Sequence, residues 1–150
     1  MAIPPVLLGP AKQFGEPGIT ALVARVQAVR KAGMIAIADT VSKAGMSQRS
    51  LATSLLARHF ARVSLLNSPV EGYVAACWAV AKATDPQYEN IEANTLILAG
   101  EEDKMSPEEV VAFLKEHIPK VKVVTMKDIG HWHLVEDIEG VAREIKEFVE

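Results

Sequence analysis

Asn94-Thr95-Leu96-Ile97-Leu98-Ala99-Gly100, then Glu101-Glu102-Asp103-Lys104-Met105, then Ser106-Pro107-Glu108-Glu109, is the stretch that decides the fold. Its apolar run is short, has no polar alternation and ends at glycine, as in a strand buried on both faces. The next five residues form a polar loop. Ser106 to Glu109 reads as a capping box with proline at the first helical position. Val110, Val111, Leu114 and Ile118 then recur at helical spacing, and Pro119 stops the helix. Val121 to Met126 is a second strand. Asp128 to His133 is a loop, and Ile138, Val141, Ile145, Phe148 and Val149 mark a last helix. This alternation of strand and helix predicts a parallel, helix-covered sheet over 94–150.

Towards the N-terminus the text changes. Residues 18–84 read as four helices in a row with no strand between them. Their apolar stripes are Leu22, Val23, Val26 and Val29; then Ile35, Ile37, Ala38 and Val41; then Leu51, Leu55, Leu56, Phe60 and Val63; then Val70, Tyr73, Val74, Cys77, Trp78 and Ala81. Gly33 and Gly45 stop the first two. Ser47 caps the third, and Ser68-Pro69 opens the fourth. Gly15-Glu16-Pro17-Gly18 reads as a loop. Before it, Ile3 to Leu8 is another all-apolar run, shortened by Pro4 and Pro5 to three or four useful strand residues. The predicted fold is therefore α/β: three parallel strands, one in residues 1–10 and two in 94–150, with a four-helix block inserted after the first.

Composition sets the outer bounds. The chain has 150 residues, 49% hydrophobic and 23% charged. That excludes a disordered chain, a collagen-like repeat and a disulfide-stapled scaffold, and such a length buries roughly 70% of the unfolded surface. The net charge is −3 and there is no basic stripe, so nucleic acid is not an expected partner. No apolar run reaches the roughly 20 residues needed to span a bilayer, so no membrane is expected. Met1 to Leu8 lacks the basic start of a signal peptide. A single cysteine, Cys77, fits a reducing compartment, and a cytoplasmic location is the expectation.

Functional loops of parallel sheets gather at the carboxyl ends of the strands. Asp103 follows one such strand and His131 the next. If the strands are neighbours, the carboxylate can hold one imidazole nitrogen and leave the other free as a base. His131 and His133 also form His-x-His, but a catalytic zinc needs about three protein ligands. Neither His59 nor His117 stands in a motif, so no metal and no cofactor are expected.

At these residues a family resemblance emerges. Leu96 to Pro107 resembles the acid loop of α/β-hydrolases, a strand followed by Gly-x-x-Asp and Ser/Thr-Pro. Ile129-Gly130-His131-Trp132-His133-Leu134-Val135-Glu136 resembles their histidine loop, with a Glu that opens the last helix. Val6-Leu7-Leu8-Gly9-Pro10 with the helices after it resembles the strand leading into their helical cap. The most similar branch is the 3-oxoadipate enol-lactonase-like hydrolases. The resemblance runs along essentially the whole chain but matches only the second half of that family's domain.

It implies a carboxylic ester or lactone hydrolase with a serine nucleophile, Asp103 as triad acid and His131 as triad base. The family's nucleophile lies upstream in Gly-x-Ser-x-Gly. None of Ser42, Ser47, Ser50, Ser54, Ser64, Ser68 and Ser106 stands in that motif, and the oxyanion loop is also missing. The chain by itself is expected to be inactive. The alternative is a non-catalytic product: a truncated gene product, a pseudo-enzyme or a helical interaction module. The partner implied is a small-molecule ester or lactone, once the missing half is supplied. The edge of the first strand is expected to self-associate.

Other residues carry two readings each. Trp78, Trp132 and Met105 are the candidate substrate contacts. For Trp78 the other reading is the internal seam of the helical block, and for Trp132 packing behind the histidine loop. Ser106 reads as a helix cap with an occupied hydroxyl. Arg58, His59 and Arg62 sit within about one turn, as a solvated face or an anion grip.

Overall fold

A computed structural model describes residues 4–150. Strand β1 is Val6–Leu8; the expected start at Ile3 lies outside the described residues. Five helices follow: α1 (Glu16–Ala32), α2 (Ile35–Ala44), α3 (Gln48–Thr53), α4 (Leu55–Leu66) and α5 (Val70–Lys82). A single 3-10 turn at Tyr88–Asn90 leads into β2 (Thr95–Gly100). Then come α6 (Glu108–His117), β3 (Val121–Met126), the one-turn α7 (His133–Glu136) and α8 (Ile138–Val149).

The three strands are parallel in the order β1-β2-β3. Val6 pairs with Leu96 and Leu8 with Leu98 on one side of β2; Thr95 pairs with Val121 and Gly100 with Met126 on the other. β2 is buried along its whole length, which is why its sequence has no polar alternation. Ile97 and Ala99 face Val111 and Leu114 from α6 and Ile118 just after it. Leu96 and Leu98 face Ile129 and, from α8, Val141.

The helical block has its own core, built from Leu22, Val26, Val29, Met34, Ile37, Ala38, Leu65, Val74 and Cys77. Asp85 ties its two ends together: its Oδ1 accepts from Gln13 N–H at 2.6 Å and from Tyr88 Oη at 2.9 Å.

Several local expectations need correction. The block has five helices because the third apolar stripe crosses a break at Ser54, which is extended (φ −107°, ψ 92°). Ser54 ends α3 with its N–H on Ser50 O and starts α4 with its Oγ accepting from Ala57 N–H at 3.1 Å. Apolar spacing continues through the break, so periodicity alone misses it. The expected loop at residues 15–18 is the first turn of α1. Pro17 has no N–H to leave unpaired there, and Glu16 suits the positive end of the helix.

Ser47 does cap α3, accepting from Ser50 N–H at 3.2 Å. Ser68 does not cap α5: Pro69 is the N-cap residue and the Ser68 hydroxyl donates back to Ser64 O. Nor does Ser106 form a capping box. Pro107 is the N-cap of α6, and the Ser106 hydroxyl donates to Pro10 O at 2.5 Å, tying the acid loop to the end of β1. Glu136 closes α7; Asp137 caps α8 instead, its Oδ1 accepting from Gly140 N–H at 2.9 Å.

Candidate active site

β2 and β3 are neighbours, so the loops after them meet above the same end of the sheet. Two bonds fasten the loops together: Glu101 N–H donates to Met126 O and Glu102 N–H to Ile129 O, both at 2.9 Å. Within the first loop Asp103 turns its side chain inward, and that side chain is fully buried. Its Oδ1 accepts from Met105 N–H at 2.8 Å and Ser106 N–H at 3.0 Å. Its Oδ2 faces His131 Nδ1 at 2.9 Å.

Burial by itself would push the Asp103 carboxyl up. The hydrogen bond and charge of His131, with the Ser106 and Met105 N–H groups, outweigh that and hold it below the usual carboxylate range. An ionised carboxylate only accepts, so His131 Nδ1 carries the proton in this bond. The Nε2 lone pair is then left for another donor, and the His131 side chain is 37% exposed. The structure thus brings together the two residues that sequence singled out, in the tautomer a general base needs.

The backbone of the histidine loop is held from the helical block. His131 N–H donates to Gly45 O at 2.6 Å. Trp132 Nε1–H donates to Ser42 O at 3.0 Å, and the ring packs against the cores of the block. Glu136 bridges the two units: Oε2 accepts from Ser47 N–H at 2.9 Å and Oε1 from Gly130 N–H at 3.1 Å. His133 is buried, and its Nδ1–H donates to His131 O at 3.0 Å. Its Nε2 is buried with no partner among the described residues.

Gly9, two residues past β1's midpoint, runs beneath the pair with φ +53°. A Cβ there would lie 2.5 Å from Asp103 Oδ2 and 3.0 Å from both His131 Nδ1 and His133 Cε1. Only glycine suits both that backbone angle and that approach. Gly9 and Glu136 contribute to the site without a catalytic motif to mark them in the sequence. In sequence Gly9-Pro10 marks only the end of a strand, and a glycine at the carboxyl end of a parallel strand is the one available signal.

Of the three candidate substrate contacts, Met105 lines a cavity of about 840 Å³ with Phe14, Leu22, Arg25, Val110 and Phe113. This cavity adjoins the acid loop, but His131 is not in its lining. Trp78 packs onto the core of the helical block, with Lys82 Nζ 5.9 Å from its ring centroid. Trp132 is committed to Ser42 and Gly45. Neither tryptophan lines the cavity.

Solved structures share this fold. A thermophilic esterase from Thermogutta terrifontis superposes with a TM-score of 0.86 over 95% of this chain and 53% of its own, at 24% identity. The enol-lactonase from Burkholderia xenovorans LB400 gives a TM-score of 0.86 over 95% and 54%, at 22% identity. The chain has the α/β-hydrolase fold. It corresponds to the C-terminal part of that fold and spans about half the length of the solved α/β-hydrolases it matches. A 54-residue segment is 35% identical to Lipase 3 of Moraxella sp. (strain TA144), covering 36% of this chain and 17% of that protein. No family model matches the sequence.

Proposed function

We propose that this chain supplies the acid and the base of a serine hydrolase acting on carboxylic esters or lactones. The observation that carries the reading is the buried Asp103 carboxylate bonded to His131 Nδ1 at 2.9 Å. Similarity to an esterase, an enol-lactonase and a lipase supports the substrate class. In this mechanism a serine hydroxyl attacks the carbonyl carbon and His131 Nε2 takes its proton. The imidazolium is stabilised by Asp103 and returns the proton to the leaving alcohol. Water then repeats the cycle on the acyl-enzyme.

The nucleophile and the oxyanion donors belong to a segment outside these 150 residues. Ser106, which lies nearest the acid in sequence, spends its hydroxyl on Pro10 O and is no nucleophile. In this reading the completing segment pairs along the outer edge of β1, whose other edge is held by β2. Alone, the chain self-associates loosely through that edge, blunted by Pro4 and Pro5.

The test uses p-nitrophenyl acetate and a fluorophosphonate probe. The chain alone is expected to show neither turnover nor a labelled serine. Mixed with a polypeptide that carries strand, Gly-x-Ser-x-Gly and helix, it is expected to gain both. Asp103→Asn or His131→Gln should then remove about 10²–10⁴-fold of the rate. A serine labelled in the chain alone, or complemented activity indifferent to both substitutions, overturns the reading. Folded complementation without any activity favours the non-catalytic alternative, for which the missing nucleophile speaks.

A further inference from the structure

We propose that the outer face of α4, with the cationic edge beside it, is a docking surface for an anionic lipid–water interface. The inference is independent of the catalytic reading. α4 turns Ala57, Ala61 and Leu65 inward. On the opposite side Leu55, Leu56, Phe60 and Val63 are 60%, 80%, 59% and 48% exposed. At 3.6 residues per turn these four fall within an arc of about 140°. They are four of the nine large apolar side chains exposed among the described residues, so the patch is concentrated on one twelve-residue helix. Ile35 and Leu134, also exposed, lie on α2 and α7, two of the helices that pack against α4.

Charge is segregated to the same place. Between Asp39 and Glu71 the chain has Lys43, Arg49, Arg58 and Arg62 and no Asp or Glu, in a protein of net charge −3. Lys43, Arg58, His59 and Arg62 line a cavity of about 150 Å³ together with Leu55, which joins the cationic edge to the apolar arc. Asp39 is the one carboxylate in that lining, and Arg62 Nε–H donates to its Oδ1 at 2.5 Å. Arg58 Nε is buried with no acceptor among the described residues.

An apolar arc bordered by arginine and lysine matches acyl chains bordered by headgroup phosphates. Other occupants fit less well. A second copy seated on the same face would set one cationic edge against another. Nucleic acid would meet apolar side chains where it needs cations. A segment completing the sheet enters beside β1, and α7, on which α4 packs, starts at His133 over the end of that strand, so vesicle binding that such a segment abolishes would assign the face to it and overturn the proposal. The sequence expectation of no membrane concerns spanning segments, and no described helix is long and apolar enough to cross a membrane. A helix that lies in the interface needs no such length.

The test is co-sedimentation of the full chain with phosphatidylcholine vesicles, pure or containing roughly 30% phosphatidylglycerol, at about 0.1 M salt. Binding is expected to the anionic vesicles and to fall in high salt. Leu56→Ser with Phe60→Ser, both at exposed positions and checked by circular dichroism for retained fold, should abolish it. Lys43→Gln and Arg58→Gln should each weaken it about fivefold, while Lys115→Gln on α6 should not. No binding to anionic vesicles, equal binding to neutral ones, or full binding by the double serine variant overturns the proposal. So does a dimer, seen without lipid, that the double serine variant dissolves; it would assign the face to a second copy.

Discussion

Residues 94–150 and residues 18–84 bury their side chains in different ways. In the first, one strand does most of the work: Leu96, Ile97 and Leu98 are completely buried, packed by α6 on one face and α8 on the other. In the second, helices pack on helices through smaller contacts, with Ala38 and Ala61 at full burial, and α4 leaves a whole apolar face outside. Their charge differs in sign as well. The helical block has eight Lys/Arg against two Asp/Glu, the sheet unit seven against thirteen. The two units meet where acid from one satisfies backbone of the other. Glu136 and Glu102 accept from Ser47 and Gln48 N–H, groups that the start of α3 leaves without a helical partner. The comparison teaches that the site is assembled at this joint: the sheet unit holds the acid and base, and the helical block fixes the loop that carries the base.

The largest expected effect tests the sheet against the block. Leu98→Ala should cost about 2–5 kcal/mol, since the strand cannot close over the cavity. Leu65→Ala, 8% exposed on α4, should fall at or below the low end of that range because the helix can shift inward. Urea unfolding of both variants checks this; equal costs would mean that the block is as tightly packed as the sheet.

Next in size is Gly9→Ala. A β-carbon in left-handed backbone, pressed on Asp103 Oδ2, should cost about 1–3 kcal/mol. It should also erase the downfield Nδ1–H proton signal of His131 in NMR spectra. A signal that survives would show that the pair does not depend on β1.

Glu136→Gln sharpens the role of the joint. An amide can accept one of the two N–H groups but sets its own N–H against the other, at about 1–2 kcal/mol. Amide exchange at Ser47 and Gly130 should quicken while exchange within β2 stays slow.

Acid titration separates this joint from the acid–base pair. Asp103 is held below its ordinary value, so its ionised form stabilises the fold. That contribution is complete above about pH 4, the unfolded carboxylate value, and is lost as pH falls through the lower folded one. The urea midpoint should drop over that interval in the parent chain and be flatter in Asp103→Asn. Identical slopes would break the assignment.

The smallest effects lie among the serines of the block. Ser54→Ala removes the cap of α4 and should cost about 1 kcal/mol. Ser68→Ala removes only an exposed back-bond to Ser64 O and should stay within about 0.5 kcal/mol. The order of the two melting temperatures decides whether Ser54 is a true break between helices.

Sequence by itself determined the sheet unit. β2, α6, β3 and α8 fall where the apolar runs and Pro119 place them, because a strand buried on both faces and helices of regular stripe write their burial directly into residue order. It also singled out the pair: Asp103 and His131 each follow a strand, and once those strands pair as neighbours their loops can meet. Tertiary structure decided the rest. The break at Ser54 is invisible in periodicity because the same side of the chain stays apolar across it. Ser106 and Glu136 carry helix-cap patterns, yet each spends its side chain on a backbone group far away in sequence, Pro10 O and Ser47 N–H. A polar side chain bonds to whichever unpaired group folding brings within reach, and local sequence holds no record of that choice. Gly9 is the same case in reverse: its missing side chain has meaning only once Asp103, His131 and His133 have closed over it.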